Sequence, residues 1–301
     1  MRWSRRSVGV VVSTLVAVGA GCTAGELEPA SESPAREKGS HLVRMLAERE
    51  AARPRAEPAP PPAPPAFRSP FGHSIAAAPI RHSETSIGGR DLNYWVLGDG
   101  SENVLLLGGI HGDERSSADA AYEFLAYMLL HPELLANRRL VIAPEVNPDG
   151  IAASTRRNQR DVDLNRNFPA SNWRRESGST HHAPGDYGGS EPETRFVLAL
   201  LRRFPPTLLV VTHAAAACVN WDGPGEALAR TMSRECGLPA KASIGYPTPG
   251  SLGSYLGVDR DVPTITFELA EKESAARSRE PVRRALLAAI AFAPAGPTLA
   301  K

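Results

Sequence analysis

The sequence predicts an α/β fold: a mixed, largely parallel twisted sheet with helices on both of its faces, in a single domain. From about Phe67 onward, short apolar runs alternate with longer helical patterns, as expected where strands and helices follow one another. Several of these runs are continuously apolar, which is typical of strands buried on both faces. The chain has 301 residues, 42% of them hydrophobic, so it is long enough to bury one sizeable core.

This pattern predicts five strands and four helices, and it contains no internal repeat. The predicted strands are LNYWVLG (92–98), NVLLLGG (103–109), RLVIAPE (139–145), TLLVVTH (207–213) and PTITFEL (263–269). The predicted helices are SSADAAYEFLAYMLL (116–130), GSEPETRFVLALLRRF (189–204), GEALARTMSREC (225–236) and the stretch around PVRRALLAAIAFA (281–293).

The N-terminal segment, residues 1 to 22, predicts export. A basic start is followed by the apolar run 7–21, which is too short to span a bilayer as a stable helix but is typical of a signal peptide. The sequence Gly19-Ala20-Gly21-Cys22 resembles a bacterial lipobox, although Gly19 stands where a larger aliphatic residue is usual. We therefore expect lipidation of Cys22, a membrane-anchored lipoprotein, and a periplasmic or outer-membrane location in the cell envelope. Ordinary cleaved secretion and a retained anchor are the alternatives.

Composition divides the rest of the chain into a tether and one catalytic domain. Residues 23–66 are rich in Pro and Ala and lack a core pattern, so we interpret them as a disordered tether, with the domain spanning 67–301. A formal net charge of +1 gives no reason to expect nucleic acid as a partner. Cys218 and Cys236 could pair in a disulfide in an oxidising compartment, or could be two buried small side chains. The oligomeric state is not predicted.

Histidines and acids stand at the carboxyl ends of three predicted strands, where ligands gather in α/β sheets. His111 and Glu114 follow one strand in GGIHGDE (108–114), His213 ends a second, and Glu268 lies near the end of a third. A catalytic zinc ion takes three protein ligands, often two His and one Glu, and leaves a position for water. The HxxE spacing alone is weak support, and a buried, hydrogen-bonded histidine is the usual alternative.

The segment NPDGIAASTRRNQRDVDLNRNFP (147–169) adds arginines and asparagines. Arginine suits planar carboxylates and developing negative charge, so Arg156 and Arg166 beside a zinc site would suit amide hydrolysis. A charged surface loop is the alternative interpretation. The first four residues, NPDG, predict a turn after a strand.

Five motifs in the same order resemble those of the zinc carboxypeptidase family, and in particular its murein peptide amidase-like branch. HGDE resembles the zinc motif, THA (212–214) the second zinc histidine, and STRRNQRDVDLNRNFP the arginine and Asn-Arg substrate motifs. The segment from Tyr246 to Leu269 resembles the link between the mobile tyrosine and the catalytic glutamate. The resemblance covers roughly residues 69 to 293.

Carried over position by position, the resemblance implies one zinc ion per chain. Its ligands would be His111, Glu114 and His213. Asp163 would accept a hydrogen bond from His111 and so orient it, as the outer partners of metal-bound histidines do.

The resemblance also implies the groups that act on the substrate. Glu268 would be the general base that activates water and passes the proton to the leaving amine, and Arg156 would stabilise the oxyanion. Asn165 and Arg166 would hold the free carboxylate of the substrate, and Tyr246 would close over it.

The implied function is zinc-dependent hydrolysis of an amide bond in murein stem peptides, such as the bond between D-glutamate and meso-diaminopimelate. The substrate would be a peptide with a free carboxylate. A general metallocarboxypeptidase is the first alternative, and a non-catalytic, peptide-binding envelope protein is the second. We expect VNWDGPGE (219–226) to shape the substrate rim and His181 and His182 to be a solvated pair. The pocket residues near Leu252 and Gly253 are small and apolar, which argues against a strong preference for basic side chains.

Overall fold

A computed structural model describes residues 66–176, 180–271 and 279–292. The predicted signal peptide, Cys22 and residues 23–65 of the predicted tether lie outside the described residues. Within those ranges, none of the helices combines the length and the apolar character needed to cross a bilayer.

The strands form one large mixed sheet and a separate two-stranded ribbon. In chain order they are β1 (Phe67–Arg68), β2 (Ser74–Ile75), β3 (Ile80–Thr85), β4 (Asp91–Leu97), β5 (Glu102–Leu107), β6 (Arg138–Ala143), β7 (Pro206–Ala214), β8 (Cys218–Asp222), β9 (Ala240–Lys241) and β10 (Thr264–Leu269). The large sheet has eight strands in the order β3-β4-β6-β5-β7-β10-β8-β9. Its four central strands are mutually parallel, and antiparallel pairs flank them. The predicted fold class is confirmed, and each predicted strand exists.

The helices cover both faces of the sheet. They are α1 (Arg115–Leu130), α2 (Pro148–Ala153), α3 (Pro192–Arg203), α4 (Glu226–Cys236), α5 (Arg279–Ala291) and a π-helix (Gly253–Val258). Alternate side chains of the central strands point to opposite faces. Val104 and Leu106 of β5 belong to the core cluster that contains residues of α1, α4 and α5, whereas Leu105 and Leu107 belong to the cluster that contains residues of α3.

Helix α2 corrects the prediction of a turn at NPDG. Asn147 caps the helix, and its side-chain oxygen accepts a hydrogen bond from the Gly150 N–H at 2.9 Å. Pro148 occupies the first helical position, where its missing N–H costs no hydrogen bond. The same residue types therefore start a helix here because the chain continues through Ala153.

The register of the parallel strands brings distant residues to one edge of the sheet. In the pairing of β7 with β10, Glu268 lies directly beside His213. Leu107, the last residue of β5, pairs with Val211 of β7, so the loop that follows β5 begins near His213. Cys218 in β8 and Cys236 in α4 are both free thiols, so the structure contains no disulfide between them.

The carboxyl group of Glu145, just after β6, is partly buried and forms no salt bridge within the described part of the chain. Tyr122 lies next to it, while its Oε1 atom has no hydrogen-bond partner among the described residues. Burial raises the pKa of Glu145 to about 7, against the opposing effects of Tyr122 and Arg115. The folded chain therefore keeps this proton at a pH where the unfolded chain has lost it.

We expect this carboxyl group to destabilise the protein as the pH rises. Because the pKa of Glu145 is higher in the folded chain, unfolding becomes easier between about pH 4.5 and 7, and the loss persists above pH 7. The Glu145→Gln variant should therefore be roughly 1–3 kcal/mol more stable than the unmodified chain at pH 8 and nearly equal to it at pH 4. Urea unfolding at both pH values measures this difference, and an equal change at both would contradict the assignment.

Candidate metal centre and substrate cavity

A tight loop after β5 presents His111 and Glu114 to the same point. The Glu114 N–H donates to the His111 carbonyl oxygen at 3.3 Å, which closes a turn between the two residues. Gly109 adopts a φ of +59°, a conformation that favours glycine, and a Cβ on Gly112 would overlap the backbone of Gly150. The glycines of the GGIHGDE motif thus allow the loop to pack closely against α2.

His111, Glu114 and His213 converge in a buried cluster. The Nδ1 atom of His111 lies 2.8 Å from Glu114 Oε1, and the Nδ1 atom of His213 lies 2.9 Å from Glu114 Oε2. The two Nδ1 atoms are 3.1 Å apart, and the exposed fraction of each side chain is 4% or less. Two imidazole nitrogens and one carboxylate form the donor set of a catalytic zinc ion, so these three residues could hold a metal.

The orientation of His111 fits a metal ligand. Its Nε2 atom lies 3.1 Å from Oδ1 of Asp163, whose side chain is fully buried. Nε2 therefore faces its acceptor Asp163, and Nδ1 faces the cluster. Burial alone would lower the pKa of His111, but the carboxylates of Glu114 and Asp163 outweigh it and raise this pKa to about 9. These surroundings stabilise positive charge between the three side chains.

The two acids of the cluster are held in the charged form. Burial opposes ionisation of Glu114, yet His111 and His213 bring its pKa well below the usual range. The pKa of Asp163 is lowered in the same way, against the effect of burial, by His111 and by Arg156 and Arg166. The donor set thus carries the negative charge that a divalent cation requires.

We expect the Asp163→Asn variant to bind zinc about 10- to 100-fold more weakly, as outer partners of metal-bound histidines generally contribute that much. The amide leaves His111 without its charged acceptor while keeping the side-chain shape. Zinc affinity, measured by competition with a chromogenic chelator, tests this. Asp161→Asn is the matched control, because Asp161 lies in the same loop with an 82% exposed side chain. A similar loss in both variants would contradict the assigned contact.

Arg156 extends from the loop after α2 to the edge of the cluster. Its Nε and Nη2 atoms lie 3.1 and 3.0 Å from Asp163 Oδ2. Its Nη1 atom lies 3.2 Å from His111 Nδ1 and 3.4 Å from Glu114 Oε1. Asp163 therefore anchors both His111 and the guanidinium group, and it fixes the distance between them.

Asn165, Arg166 and Tyr246 line the same cavity of about 150 Å³ as the cluster. The Asn165 side-chain oxygen accepts a hydrogen bond from the Leu252 N–H at 3.0 Å, and Arg166 Nη1 donates to the Asn165 carbonyl oxygen at 2.7 Å. Tyr246 lies next to Arg166, while 49% of Tyr246 remains exposed. A buried guanidinium thus lies next to a half-exposed tyrosine.

His182 corrects the expectation of a solvated histidine pair. His181 is exposed, but His182 is half-buried, and its ring stacks on Tyr246 with the ring centroids 6.1 Å apart. The expectation fails for His182 because the contact joins residues far apart in the sequence. Glycine and proline around the pair predict a loop but give no information about what that loop packs against.

Glu268 stands on β10 beside His213 and faces the cavity. It is 8% exposed, and its Oε2 atom accepts a hydrogen bond from the Ala216 N–H at 3.2 Å. The structure therefore brings together in one cavity every predicted metal, catalytic and substrate-binding residue. Asp163 lies directly behind them.

Asn220 and Asp222 of β8 also line the cavity, as expected of the segment 219–226, although the sequence did not single out these two residues within it. The expectation of a small apolar pocket is wrong. Gly253 does line the cavity, but the carboxylate of Asp222 lies next to it. Alternation in CVNWD was the available signal. Cys218, Asn220 and Asp222 share one face of β8, and a polar face on an inner strand indicates a cavity.

A buried His-Glu-His cluster at the carboxyl ends of parallel strands, with a glutamate and two arginines beside it, defines a zinc metallopeptidase. The profile of one such family, described as zinc carboxypeptidase, matches residues 72–235. The chain belongs to the zinc carboxypeptidase family. Its cofactor is zinc, and among the described residues the His-Glu-His cluster is the group able to hold it.

Several known proteins are similar to this chain. Murein peptide amidase A of Escherichia coli (strain K12) is 38% identical over 180 residues, covering 56% of this chain and 71% of that protein. Murein peptide amidase A of Vibrio campbellii is 30% identical over 215 residues, covering 66% of this chain and 77% of that protein. Both alignments exceed two thirds of the relative's length.

Solved structures have the same fold. The crystal structure of murein-tripeptide amidase MpaA from Escherichia coli O157 matches with a TM-score of 0.56 and 30% identity, over 70% of this chain and 91% of that one. Bovine thrombin-activatable fibrinolysis inhibitor, in complex with tick carboxypeptidase inhibitor, matches with a TM-score of 0.62 and 18% identity, over 85% and 95%. At that identity the second likeness concerns the fold alone.

Proposed function

We propose that this enzyme hydrolyses an amide bond in murein stem peptides, the bond between D-glutamate and meso-diaminopimelate being the leading candidate. One observation carries the proposal: the metal cluster, Glu268 and the buried Arg166 all face a single cavity. A cavity of this kind suits a peptide that ends in a free carboxylate. The murein peptide amidases that resemble the chain favour a murein stem peptide as that substrate.

His111, Glu114 and His213 are the residues that would hold zinc. Bound there, zinc supplies Lewis acidity, which polarises a carbonyl group and lowers the pKa of water. Glu268 takes the proton of the attacking water and then passes it to the leaving amine. The Ala216 N–H restrains one carboxylate oxygen of Glu268, so the other is available for this transfer.

The two arginines have different roles: one stabilises the developing negative charge, and the other binds the substrate carboxylate. Arg156, at the edge of the cluster, stabilises the negative charge that develops on the carbonyl oxygen. Arg166 and Asn165 bind the free carboxylate of the substrate, because a guanidinium group matches carboxylate geometry. Tyr246, half-exposed and next to Arg166, closes over the bound peptide.

We also propose that the chain is exported to the cell envelope and anchored as a lipoprotein through Cys22. The basic start, the apolar run 7–21 and the lipobox-like Gly19-Ala20-Gly21-Cys22 support this. A murein substrate lies in that compartment. Metabolic labelling with a fatty acid analogue tests the anchor, since the unmodified chain should incorporate the label and the Cys22→Ser variant should not.

Defined muropeptides test the proposed reaction. The enzyme with zinc should release meso-diaminopimelate from the tripeptide L-alanyl-γ-D-glutamyl-meso-diaminopimelate, with the products identified by mass spectrometry. Cleavage of ordinary C-terminal residues without cleavage of the muropeptide would favour a general metallocarboxypeptidase. Binding of peptide without any hydrolysis would favour the non-catalytic alternative.

A further inference from the structure

Asp222 places a carboxylate in the substrate cavity at some distance from the metal cluster. On β10 the residue paired with Asp222 is Thr264, and Thr264 lies four positions before Glu268. At about 3.3 Å per residue, the two acids are separated by roughly 13 Å of strand. Thr266 lies between Thr264 and Glu268 on the same face and also lines the cavity. The cavity therefore extends along β10 from the catalytic glutamate toward Asp222.

Among the residues that the structure describes, the Asp222 carboxylate has no partner. Among the described residues, no hydrogen bond or ion pair to this side chain is found, in contrast to the paired Glu114 and Asp163. Burial raises the pKa of Asp222, and no neighbouring cation opposes that rise. A partly desolvated carboxylate without a donor is unfavourable. A ligand cation would supply the missing partner.

The π-helix leaves space for this carboxylate. A Cβ on Gly253 would overlap both the carboxylate carbon and an oxygen of Asp222, and a Cβ on Gly257 would approach the Asp222 side chain closely. These two glycines lie four residues apart and therefore on the same face of the helix. Because glycine has no side chain, both positions leave room for the Asp222 side chain in the cavity wall.

The direction of the substrate follows from the carboxylate-binding residues. Arg166, Asn165 and Tyr246 line the same cavity as Asp222. A peptide whose free carboxylate these three residues hold can extend its C-terminal side chain toward Asp222. We propose that Asp222 binds the side-chain ammonium group of that residue, and so selects a diamino acid on the leaving-amine side of the bond. The inference rests on the proposed function, because that residue of a murein stem peptide is a diamino acid.

Two matched peptides test the proposal: L-alanyl-γ-D-glutamyl-L-lysine and the same peptide ending in L-norleucine, which lacks the ammonium group. The unmodified enzyme should prefer the lysine peptide. In Asp222→Asn, kcat/KM for the lysine peptide should fall about 10- to 100-fold, the range of a hydrogen bond to a charged group. For the norleucine peptide it should stay within a few-fold. Gly253→Ala, which displaces the carboxylate, should reduce the preference in the same direction.

The norleucine peptide also serves as the folding control. An equal loss on both peptides, or no loss on either, would overturn the role of Asp222. A second pair, hippuryl-lysine and hippuryl-norleucine, separates this inference from the proposed function. If the enzyme prefers hippuryl-lysine over hippuryl-norleucine, loses that preference in Asp222→Asn, and does not cleave the murein-type peptides, the inference is upheld and the murein substrate is rejected. Cleavage of the murein-type peptides with no such preference in either pair would do the reverse.

Discussion

The Glu268→Gln variant should lose about 100- to 10,000-fold in kcat, the range that positioned acid–base catalysis contributes. Glutamine keeps the shape of the side chain, and its oxygen can still accept the hydrogen bond from the Ala216 N–H. It cannot take a proton from water at neutral pH. Hydrolysis of the muropeptide, followed under saturating substrate, measures the loss.

Zinc content separates a chemical effect from a structural one in that variant. Because Glu268 lies outside the His-Glu-His cluster, Glu268→Gln should retain about one zinc ion per chain, the single ion of a mononuclear catalytic site. Glu271→Gln is the matched control, because Glu271 follows the same strand and is exposed. Full activity in Glu268→Gln with bound zinc would exclude Glu268 as the general base.

The second large effect is expected for His213→Ala, which removes one of three metal-binding side chains. The remaining His111 and Glu114 provide only two donors, fewer than a catalytic zinc site takes. Loss of an outer hydrogen-bond partner typically weakens metal binding by about 10- to 100-fold. Loss of the ligand His213 itself should weaken zinc binding by more than this. Activity should fall together with zinc occupancy, and both are measured on the dialysed protein.

Thermal unfolding with and without added zinc provides an independent readout of this variant. A ligand that binds only the folded chain raises its stability, so zinc should raise the Tm of the unmodified protein and have little effect on His213→Ala. His131→Ala is the control, because the side chain of His131 is 42% exposed and lies outside the cavity. Equal zinc-induced shifts in all three proteins would show that His213 does not bind the metal.

The fold class could be predicted because its signal is local. Continuous apolar runs such as Val104–Leu107 mark buried strands, and the structure confirms each predicted strand and helix with small shifts at the ends. The edge strand β3 was missed because its sequence, IRHSET, is mostly polar and largely exposed. An exposed edge strand lacks the apolar pattern on which such predictions depend.

The metal cluster could be proposed from the sequence because two of its members are close in the chain. His111 and Glu114 lie three residues apart in one loop, and the ends of other predicted strands suggested His213 and Glu268. Their meeting point depended on the parallel pairing of β7 with β10 and on the close packing of the glycine loop against α2. Neither contact follows from spacing along the chain.

Asp222 and His182 mark the limit of what the chain pattern reveals. The sequence specifies which segments become strands and which carry histidines, acids and arginines, because hydrophobic periodicity and short motifs act over a few residues. Asp222 packs against the glycines of the π-helix, and His182 stacks on Tyr246. Both contacts are between segments that are distant in the chain. Such contacts form only when the sheet register and the packing of loops bring those segments together. The sequence could therefore suggest that the segment 219–226 shapes the rim, but only the tertiary structure shows which of its side chains face the cavity.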